Sequence, residues 1–329
     1  MRGALWAVAV MALLVVVNVA ASRFLSPYLL QIVVLCGINV ILAVSLNLIN
    51  GFTGQFSIGH AGFMALGAYG SAMFSLGVGR NWVSALEAAG APASLAAAPA
   101  LLMALLLGGL LAALAGYLVG LPSLRLRGDY LAIVTLGFGE IIRVLILNVD
   151  VVGGARGLPG IPAWANVFWV GLGVAAVLVL ARHLANSTHG RALFAIRDDE
   201  VAAEALGVDT TSYKVLAFVL GAFFAGVAGG LFAHFLSYLN PNSFTFIKSI
   251  EVIAMVVLGG MGSISGSVLA AIILTLLPEV LRPVKQYRMV IYSLMLIVLM
   301  ITRPQGLLGT RELRLPAWLR RPRPVHPSA

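Results

Sequence analysis

The sequence predicts an all-α polytopic membrane protein with about ten transmembrane helices in two pseudo-repeated halves. Three observations predict this class. Of the 329 residues, 60% are hydrophobic and only 10% are charged, whereas a soluble domain carries roughly 25% charged residues. The mean hydropathy is +1.01. The apolar residues also form long runs separated by polar or glycine-rich segments, as membrane-spanning helices require.

Ten apolar runs are candidate spans, because a helix that crosses a bilayer needs about 20 apolar residues. They are Leu5–Ala21, Leu29–Ile49, Ala61–Leu76, Ala100–Leu121, Tyr130–Val149, Val167–Leu184, Tyr213–Leu236, Ile247–Leu258, Val268–Leu277 and Met289–Ile301. The first resembles a signal peptide, but we interpret it as an uncleaved span because a protein with many further spans needs an anchor. Glu87, Gly90 and Pro92 interrupt the stretch Asn81–Pro99. This stretch is predicted to be a loop that can include a surface helix.

Basic residues predict the side of the membrane on which each loop lies, because Lys-rich and Arg-rich loops stay in the cytoplasm. Those assigned to the cytoplasm are Arg125, Arg127, Arg182, Arg191, Arg197, Arg303, Arg311, Arg314, Arg320, Arg321 and Arg323. With ten spans, both termini also lie on the cytoplasmic side. Arg282 and Lys285 then fall on the outer side, against the rule, so the last hairpin is the weakest part of this topology.

A polar segment, residues 182–212, separates a first membrane half, 1–181, from a second half, 213–303. It holds five of the chain's 12 acidic residues and must therefore lie in water. These are Asp198, Asp199, Glu200, Glu204 and Asp209. The remaining residues, 304–329, form a tail rich in Arg and Pro without apolar periodicity, which is predicted to lie against anionic membrane lipid.

A short helix is predicted inside the polar segment. Asp198 can cap its first turn, Asp199 and Glu200 complement the positive end of the helix dipole, and Gly207 can end it. One face of this helix is apolar and consists of Val201, Ala202, Ala205 and Leu206. The helix is either a solvated connector between two spans or a knob that docks into a groove of a partner. The agreement of two caps with an apolar face favours docking.

Two glycine-rich interruptions, one in each half, predict a transport pathway between the halves. Non-helical backbone and polar side chains persist at membrane depth only where protein buries them or where they line a watery path. The candidates are Asn47, Asn50, Thr53, Gln55, Ser57 and His60 in the first interruption, and Gly259, Gly260, Gly262, Ser263 and Ser265 in the second. Close helix packing through small residues is the alternative, and we favour it for Gly67 and Gly70.

Glu140 and Arg143 stand one turn apart in a predicted span, which is the spacing of an intrahelical ion pair. Proton coupling by Glu140 is the alternative that a secondary transporter would require. Residues 150–157 and 239–243 are predicted to be external loops, with a composition typical of turns. They could also meet an external binding protein.

Several other classes of protein are excluded or disfavoured by the residues. The net charge of +9 does not indicate nucleic-acid binding, because the Arg residues lie in loops and in the tail. Cys36 is the single cysteine and cannot form an internal disulfide. A P-loop needs Lys after Gly, but Lys214, Lys248 and Lys285 follow Tyr, Ile and Val. His-Glu-x-x-His and Gly-x-Ser-x-Gly are absent, and no catalytic residue, metal or cofactor is predicted.

The chain resembles one protein family from about Leu35 to Gly309. Three motifs carry this resemblance. They are NLINGFTGQFSIGHAGFMALGAY from Asn47, GRALFAIRDDEVAAEALGVD from Gly190, and GGMGSISGS from Gly259. In this respect the chain is similar to the M-type permeases of bacterial branched-chain amino acid ABC importers. The resemblance implies one permease domain in the bacterial inner membrane, which carries branched-chain amino acids or related small amino acids and amides. It is not expected to be an enzyme.

The resemblance also implies partners. These are a homologous H-type permease, two cytoplasmic ATPases that hydrolyse ATP, and an extracytoplasmic substrate-binding protein. It further implies that the helix of the polar segment couples the ATPases to the membrane. The expected coupling residues are Arg191, Arg197, Asp198, Asp199, Glu200, Val201, Ala202, Glu204, Ala205, Leu206 and Gly207. An ion- or proton-driven secondary transporter with inverted repeats is the alternative, and a membrane enzyme is a third, less favoured class.

Overall fold

A computed structural model describes residues 2–90, 92–123, 130–282, 287, 290, 293–294, 297–298, 301–302 and 306–309. Several sequence-based expectations concern residues outside these ranges. They are most of the predicted span Met289–Ile301, the basic residues Arg125, Arg127, Arg303 and Lys285, and all of the tail except 306–309.

The described residues form twelve α-helices. These are α1 (Arg2–Phe24), α2 (Pro27–Asn50), α3 (His60–Phe74), α4 (Arg80–Ala88), α5 (Ala93–Ser123), α6 (Tyr130–Asn148), α7 (Val167–Asn186), α8 (Thr188–Asp198), α9 (Glu200–Ala205), α10 (Thr210–Leu236), α11 (Phe246–Gly259) and α12 (Ile264–Val280). A π-helical turn, Ser75–Gly79, joins α3 to α4 without a break. Two short strands, β1 (Leu158–Pro159) and β2 (Tyr238–Leu239), complete the fold.

Side-chain caps explain where several of these helices begin. Ser26 accepts a hydrogen bond from the N–H of Leu29 and is followed by a proline in the first turn of α2, a position that proline tolerates. Asn166 caps α7 in the same way, and Ser187 caps α8 by accepting from the N–H of Gly190. Hydrogen bonds between residues close in the sequence therefore define where these helices begin.

The predicted spans coincide with helices wherever the structure describes them. Six helical stretches are long and apolar enough to cross a membrane: Pro27–Asn50, His60–Ala88, Leu95–Ser123, Tyr130–Asn148, Val167–Asn186 and Thr210–Leu236. Ala9–Phe24 and Ile264–Val280 are apolar but shorter. With 14 residues, α11 extends only about 21 Å, which is less than the roughly 30 Å of a bilayer core. The fold is thus that of an all-α polytopic membrane protein, and the count of ten spans stays a prediction.

The stretch Asn81–Pro99 is mostly helical, which differs from the predicted loop. It contains α4 and the beginning of α5, and only residues 89–92 lie between the two helices. Gly90 has a φ of +93°, which suits a chain reversal. Pro99 lies inside α5, and membrane helices tolerate an internal proline better than soluble ones do.

The core forms where α10 packs against α5, α3 and α2. Glycines bring three of these helices to backbone contact. A Cβ atom on Gly67 of α3 would lie 2.1 Å from the Cα of Gly226 on α10, and one on Gly108 of α5 would lie 2.5 Å from the carbonyl oxygen of Gly67. A Cβ on Gly70 would lie 2.5 Å from a methyl carbon of Leu111. The packing role predicted for Gly67 and Gly70 is therefore confirmed.

The ends of the bundle can be told apart by their contacts. At the end opposite α9, β1 pairs with β2 in antiparallel register, Leu158 with Leu239 and Pro159 with Tyr238. The two predicted external loops are therefore joined to each other. Arg282 lies at this same end, 4.9 Å from the ring of Tyr28, whose hydroxyl donates to the carboxylate of Glu279.

Candidate functional site

The helical path is broken between α2 and α3, at the first glycine-rich interruption. Residues 51–59 form turns and extended backbone instead of helix. The N–H of Ser57 donates to Oδ1 of Asn50 over 3.2 Å, and the N–H of Ile58 donates to Oγ1 of Thr135 on α6 over 3.0 Å. His60 begins α3, and its Nε2 lies 2.9 Å from Oγ of Ser45 on α2. Because Ser45 precedes the end of α2 by more than one turn, α3 starts inside the bundle.

Four polar atoms in this break are buried without a hydrogen-bond partner among the described residues. They are Nδ2 of Asn50, Oε1 of Gln55, Oγ of Ser57 and Nδ1 of His60. Leaving a polar group unpaired in an apolar setting costs roughly 2–7 kcal/mol. These four residues are therefore the members of the predicted pathway set whose side chains can still bind water or a polar solute.

The two glycine-rich interruptions contact each other directly. The N–H of Gly262 donates to Oδ1 of Asn47 over 2.8 Å, and Nδ2 of Asn47 donates to the carbonyl of Ser263 over 3.1 Å. A Cβ atom on Gly51 would lie 2.3 Å from the nitrogen of Gly262, so only glycine permits this approach. The sequence predicted both interruptions, and the structure brings them together.

The other members of the predicted pathway set have their polar atoms in structural bonds. Thr53 Oγ1 donates to the carbonyl of Ile49 over 2.6 Å, and Ser263 caps α12 by accepting from the N–H of Gly266. Gly259 is the last residue of α11, and Gly260 follows it with a φ of +106°. Ser265 lies on the first turn of α12, with its Oγ 3.4 Å from that of Ser263. Their assignment to a pathway stays a prediction.

The beginnings of α3 and α11 meet beside Glu140 on α6. The N–H of Ala61 donates to Oγ of Ser249 over 3.0 Å, and the N–H of Phe246 donates to Oε1 of Glu140 over 3.3 Å. The other carboxylate oxygen of Glu140 lies 2.8 Å from Nε of Arg143, as the one-turn spacing predicted. The helices α3 and α11 therefore both begin close to one ion pair, that of Glu140 and Arg143.

A second charged cluster lies outside the predicted site residues. Lys248 Nζ lies 3.2 Å from a carboxylate oxygen of Glu251 and 3.1 Å from Oδ1 of Asn39 on α2. Nδ2 of Asn39 in turn donates to Thr275 on α12 over 2.9 Å. The Lys248 and Glu251 pair has the same one-turn spacing as Glu140 and Arg143, so the sequence did carry a signal for it. The cluster joins α11, α2 and α12.

The polar segment folds into two helices, α8 and α9. Asp199, and not Asp198, caps α9, because its carboxylate accepts from the N–H of Ala202 while Asp198 is still the last residue of α8. The extended backbone of Asp199, with φ −158° and ψ 110°, is that of an N-cap residue. Gly207 has a φ of +84° and closes the helix end, as predicted.

The predicted apolar face of α9 is open. Val201 is 63% exposed and Leu206 is 85% exposed, and Ala202 and Ala205 are exposed as well. Only Ala203 points into the protein and is buried. An apolar surface held outward on a capped helix is compatible with a docking contact, and the choice between docking and a solvated connector stays a prediction.

Two contacts join α9 firmly to the first turns of α10. Nζ of Lys214 lies 2.6 Å from a carboxylate oxygen of Glu200, and the lysine side chain is only 3% exposed. Thr210 Oγ1 donates to Glu204 over 2.8 Å. Lys214 is not among the predicted coupling residues, because it lies 14 positions after Glu200, beyond two helix ends, and no periodicity links the two residues.

The preceding helix, α8, contacts the break between α2 and α3. The ring centroids of Phe194 and Phe52 are 5.0 Å apart. Nη1 of Arg197 lies 3.5 Å from the carbonyl of Gly51, and its Nη2 lies 2.9 Å from a carboxylate oxygen of Asp198. Arg191 is exposed on the same helix. The polar segment is therefore continuous with both α10 and the broken region.

The described residues contain no group of three or more His, Cys, Asp or Glu side chains that could hold a metal ion.

Comparisons with known proteins agree with the motifs. Residues 28–302 match the family described as branched-chain amino acid transport system / permease component. The high-affinity branched-chain amino acid transport system permease proteins LivM of Salmonella typhimurium (strain LT2) and Escherichia coli (strain K12) are each 37% identical over 330 residues. These alignments cover 90% of this chain and 73% of each relative.

A second kind of relative matches a shorter part. The permease protein LivH of Escherichia coli (strain K12) is 34% identical over 149 residues, which are 44% of this chain and 47% of that relative. No solved structure matches the chain. Given a family match over residues 28–302 and 37% identity across most of two LivM proteins, the chain belongs to the family of branched-chain amino acid transport system permeases.

Proposed function

We propose that the chain is a membrane-spanning subunit of an ATP-driven importer of branched-chain amino acids or closely related small amino acids. The names of its relatives support the substrate class. The likeness to LivH supports a homologous partner permease. Membership of the family implies two ATPase subunits on the cytoplasmic side and a binding protein outside, which supply the energy and the substrate.

The observation that carries the proposal is the continuity of the polar segment with the membrane helices. A docked α9 would transmit force to α10 through the ion pair of Glu200 with the buried Lys214. It would also transmit force to the break at residues 51–59 through Phe194 and Arg197 on α8. Because α3 and α11 both begin beside that break, a movement of α9 changes the junction where the two broken helices meet.

The same geometry supports a pathway at the break. Asn50, Gln55, Ser57 and His60 are the groups that we assign to it, since each has a buried polar atom without a protein partner. The pathway residues and the coupling residues are thus separate sets in contact with each other. The α9 end of the bundle is the cytoplasmic end, because Arg182, Arg191 and Arg197 lie there, and both termini belong to the same side.

Substitution on the face of α9 tests the coupling role. Ala205→Arg places a charge on the open apolar face without touching a span, so membrane insertion should be normal. Co-purification with the ATPases and leucine uptake into vesicles should both be lost. Ala88→Arg is the matched control, because Ala88 is also an exposed helical alanine but lies on α4. Normal co-purification and wild-type uptake by Ala205→Arg would show that α9 is only a linker.

Thiol labelling tests the pathway. In a Cys36→Ala background, which removes the single cysteine, Gln55→Cys should react with a water-soluble thiol reagent and poorly with a lipid-soluble one. Leucine should slow the reaction. The opposite labelling preference would show that the break is not part of the pathway.

A transport assay tests the alternative function. Uptake driven by a proton gradient in ATP-depleted vesicles, and abolished by Glu140→Gln, would instead support a secondary transporter.

A further inference from the structure

A groove of about 730 Å³ opens between α7 and α12 at the α9 end of the bundle. Both helices pack along α2 but make little contact with each other, so a cleft remains between them. α8 and the break at residues 51–59 close its end through Phe194, Arg197 and Phe52. The groove borders the break at residues 51–59, to which the pathway is assigned, but Asn50, Gln55, Ser57 and His60 do not line it.

The two parts of the groove differ in chemistry. Arg182, Asn186 and Arg197 line its outer part, where α7 ends. Leu178, Leu269 and Ile272 line its inner part, and the last two are more than one-third exposed. Leu178 stands one turn before Arg182 on α7, which is about 6 Å deeper along the helix. The groove therefore changes from cationic to apolar along the direction in which a lipid changes from headgroup to acyl chain.

The charge in the groove is not balanced from within. Among the described residues that line it, none is acidic. Arg197 is paired with Asp198, which is largely exposed, whereas Arg182 is exposed and has no ionic partner among the described residues. An arginine at headgroup depth without a carboxylate favours an anion, since a guanidinium binds a phosphate through two parallel hydrogen bonds.

We propose that this groove binds an anionic phospholipid of the leaflet nearest α9. Its phosphate contacts Arg182 with Asn186 beside it, and an acyl chain lies against Leu178, Leu269 and Ile272. Basic pockets between transmembrane helices on the cytoplasmic side are sites of this kind. The inference does not depend on the transport activity proposed above.

The size and polarity of the groove exclude three other occupants: a second helix, a soluble phosphate compound and a zwitterionic lipid. A second helix needs a channel about 10 Å wide along its whole length, and 730 Å³ holds only a headgroup with part of its chains. A soluble phosphate compound would leave the apolar walls in contact with water. A zwitterionic lipid carries a cation next to its phosphate, which the arginines would repel.

Native mass spectrometry of the full chain in detergent tests the proposal. With added phosphatidylglycerol, wild-type protein should retain one lipid under activation that strips phosphatidylcholine. In a lipid titration, Arg182→Gln should raise the apparent dissociation constant of this lipid at least about tenfold, which corresponds to the loss of a charge-assisted contact worth about 1.4 kcal/mol. Arg191→Gln is the matched control, because it removes the same charge from the same end of the bundle but outside the groove. It should retain the lipid as wild type does.

Photo-crosslinking gives an independent readout that does not depend on any variant. Phosphatidylglycerol with a photoreactive acyl chain should label peptides from α7 and α12, at or near Leu178 and Leu269. Equal retention of phosphatidylcholine, or full retention by Arg182→Gln, would overturn the proposal. Displacement of the lipid by glycerol 3-phosphate would also overturn it, because the site would then be one for a free phosphate compound.

Discussion

Glu200→Gln should loosen α9 from the rest of the protein. The substitution leaves Lys214 charged, only 3% exposed and without the carboxylate that lies 2.6 Å from its Nζ. Removing one partner of a fully buried ion pair costs about 3–5 kcal/mol. Glu200 itself is 30% exposed, so water can reach the lysine, and we expect a smaller loss of roughly 2–3 kcal/mol.

Hydrogen exchange measures this loss where it occurs. A decrease of roughly 2–3 kcal/mol in the free energy of local opening should make the amides of α9 exchange about 30- to 160-fold faster. The amides in the middle of α5 should be unchanged. Lys214→Met in the same chain removes the stranded charge, so the double variant should recover most of the protection.

The control is Glu87→Gln, because Glu87 is exposed on α4 at the opposite end of the bundle. Its exchange and its leucine uptake should match wild type. If Glu200→Gln left the exchange of α9 within about threefold of wild type, the ion pair would not be what holds α9 to α10. The transmission of force from α9 to α10 through this ion pair, which the proposed coupling role uses, would then be refuted.

Three further outcomes are expected. Gly67→Ala should destabilise the protein by about 1–3 kcal/mol in thermal unfolding, because the new Cβ would lie 2.1 Å from the Cα of Gly226. Gly137→Ala, where nothing lies within 4 Å, should be neutral or stabilising, and equal effects would contradict the packing role. Glu140→Ala should lower the folded yield in size-exclusion chromatography by stranding Arg143, and exchanging the two residues should recover yield; unchanged yield in Glu140→Ala would contradict a structural pair. Hydrogen bonds from the hydroxyl and the N–H of Ser212 lower the pKa of the Asp209 carboxyl. The cap that Asp209 places on α10 should therefore be fully formed at any pH above the pKa of an ordinary carboxyl group. It should be lost only as the pH falls through the lowered pKa. Hydrogen exchange at the start of α10 between about pH 6 and pH 3 measures this, and Asp209→Asn should abolish the pH dependence.

Local patterns predicted the helices of this fold well. An apolar run long enough to cross a bilayer has few alternatives to a helix, because the membrane offers the backbone no other hydrogen-bond partners. The pair of Glu140 and Arg143 was equally predictable, since both residues belong to one helix. The end of α9 at Gly207 followed from the freedom of glycine to adopt a positive φ.

Contacts between distant residues could not be predicted from these patterns. Asn47 binds the backbone of Gly262 and Ser263, and nothing in a single sequence fixes which residues of the two interruptions meet. The choice between Asp198 and Asp199 as the cap was also open, because adjacent acids have the same chemistry. The packing of α8 decides it, since that helix continues through Asp198.

The pairing of β1 with β2 has a mechanical consequence, because it fixes the outer ends of α6 and α10 together. It acts as a fulcrum for α10, whose 27 residues make a lever of about 40 Å. A 3 Å displacement of its inner end would require a tilt of only ~4° about that fulcrum, with a shift of ~1 Å at Gly226. The backbone contact there with Gly67 has no spare room. Any such swing therefore carries α3 along with α10, and the start of α3 at His60 moves against Ser249 of α11.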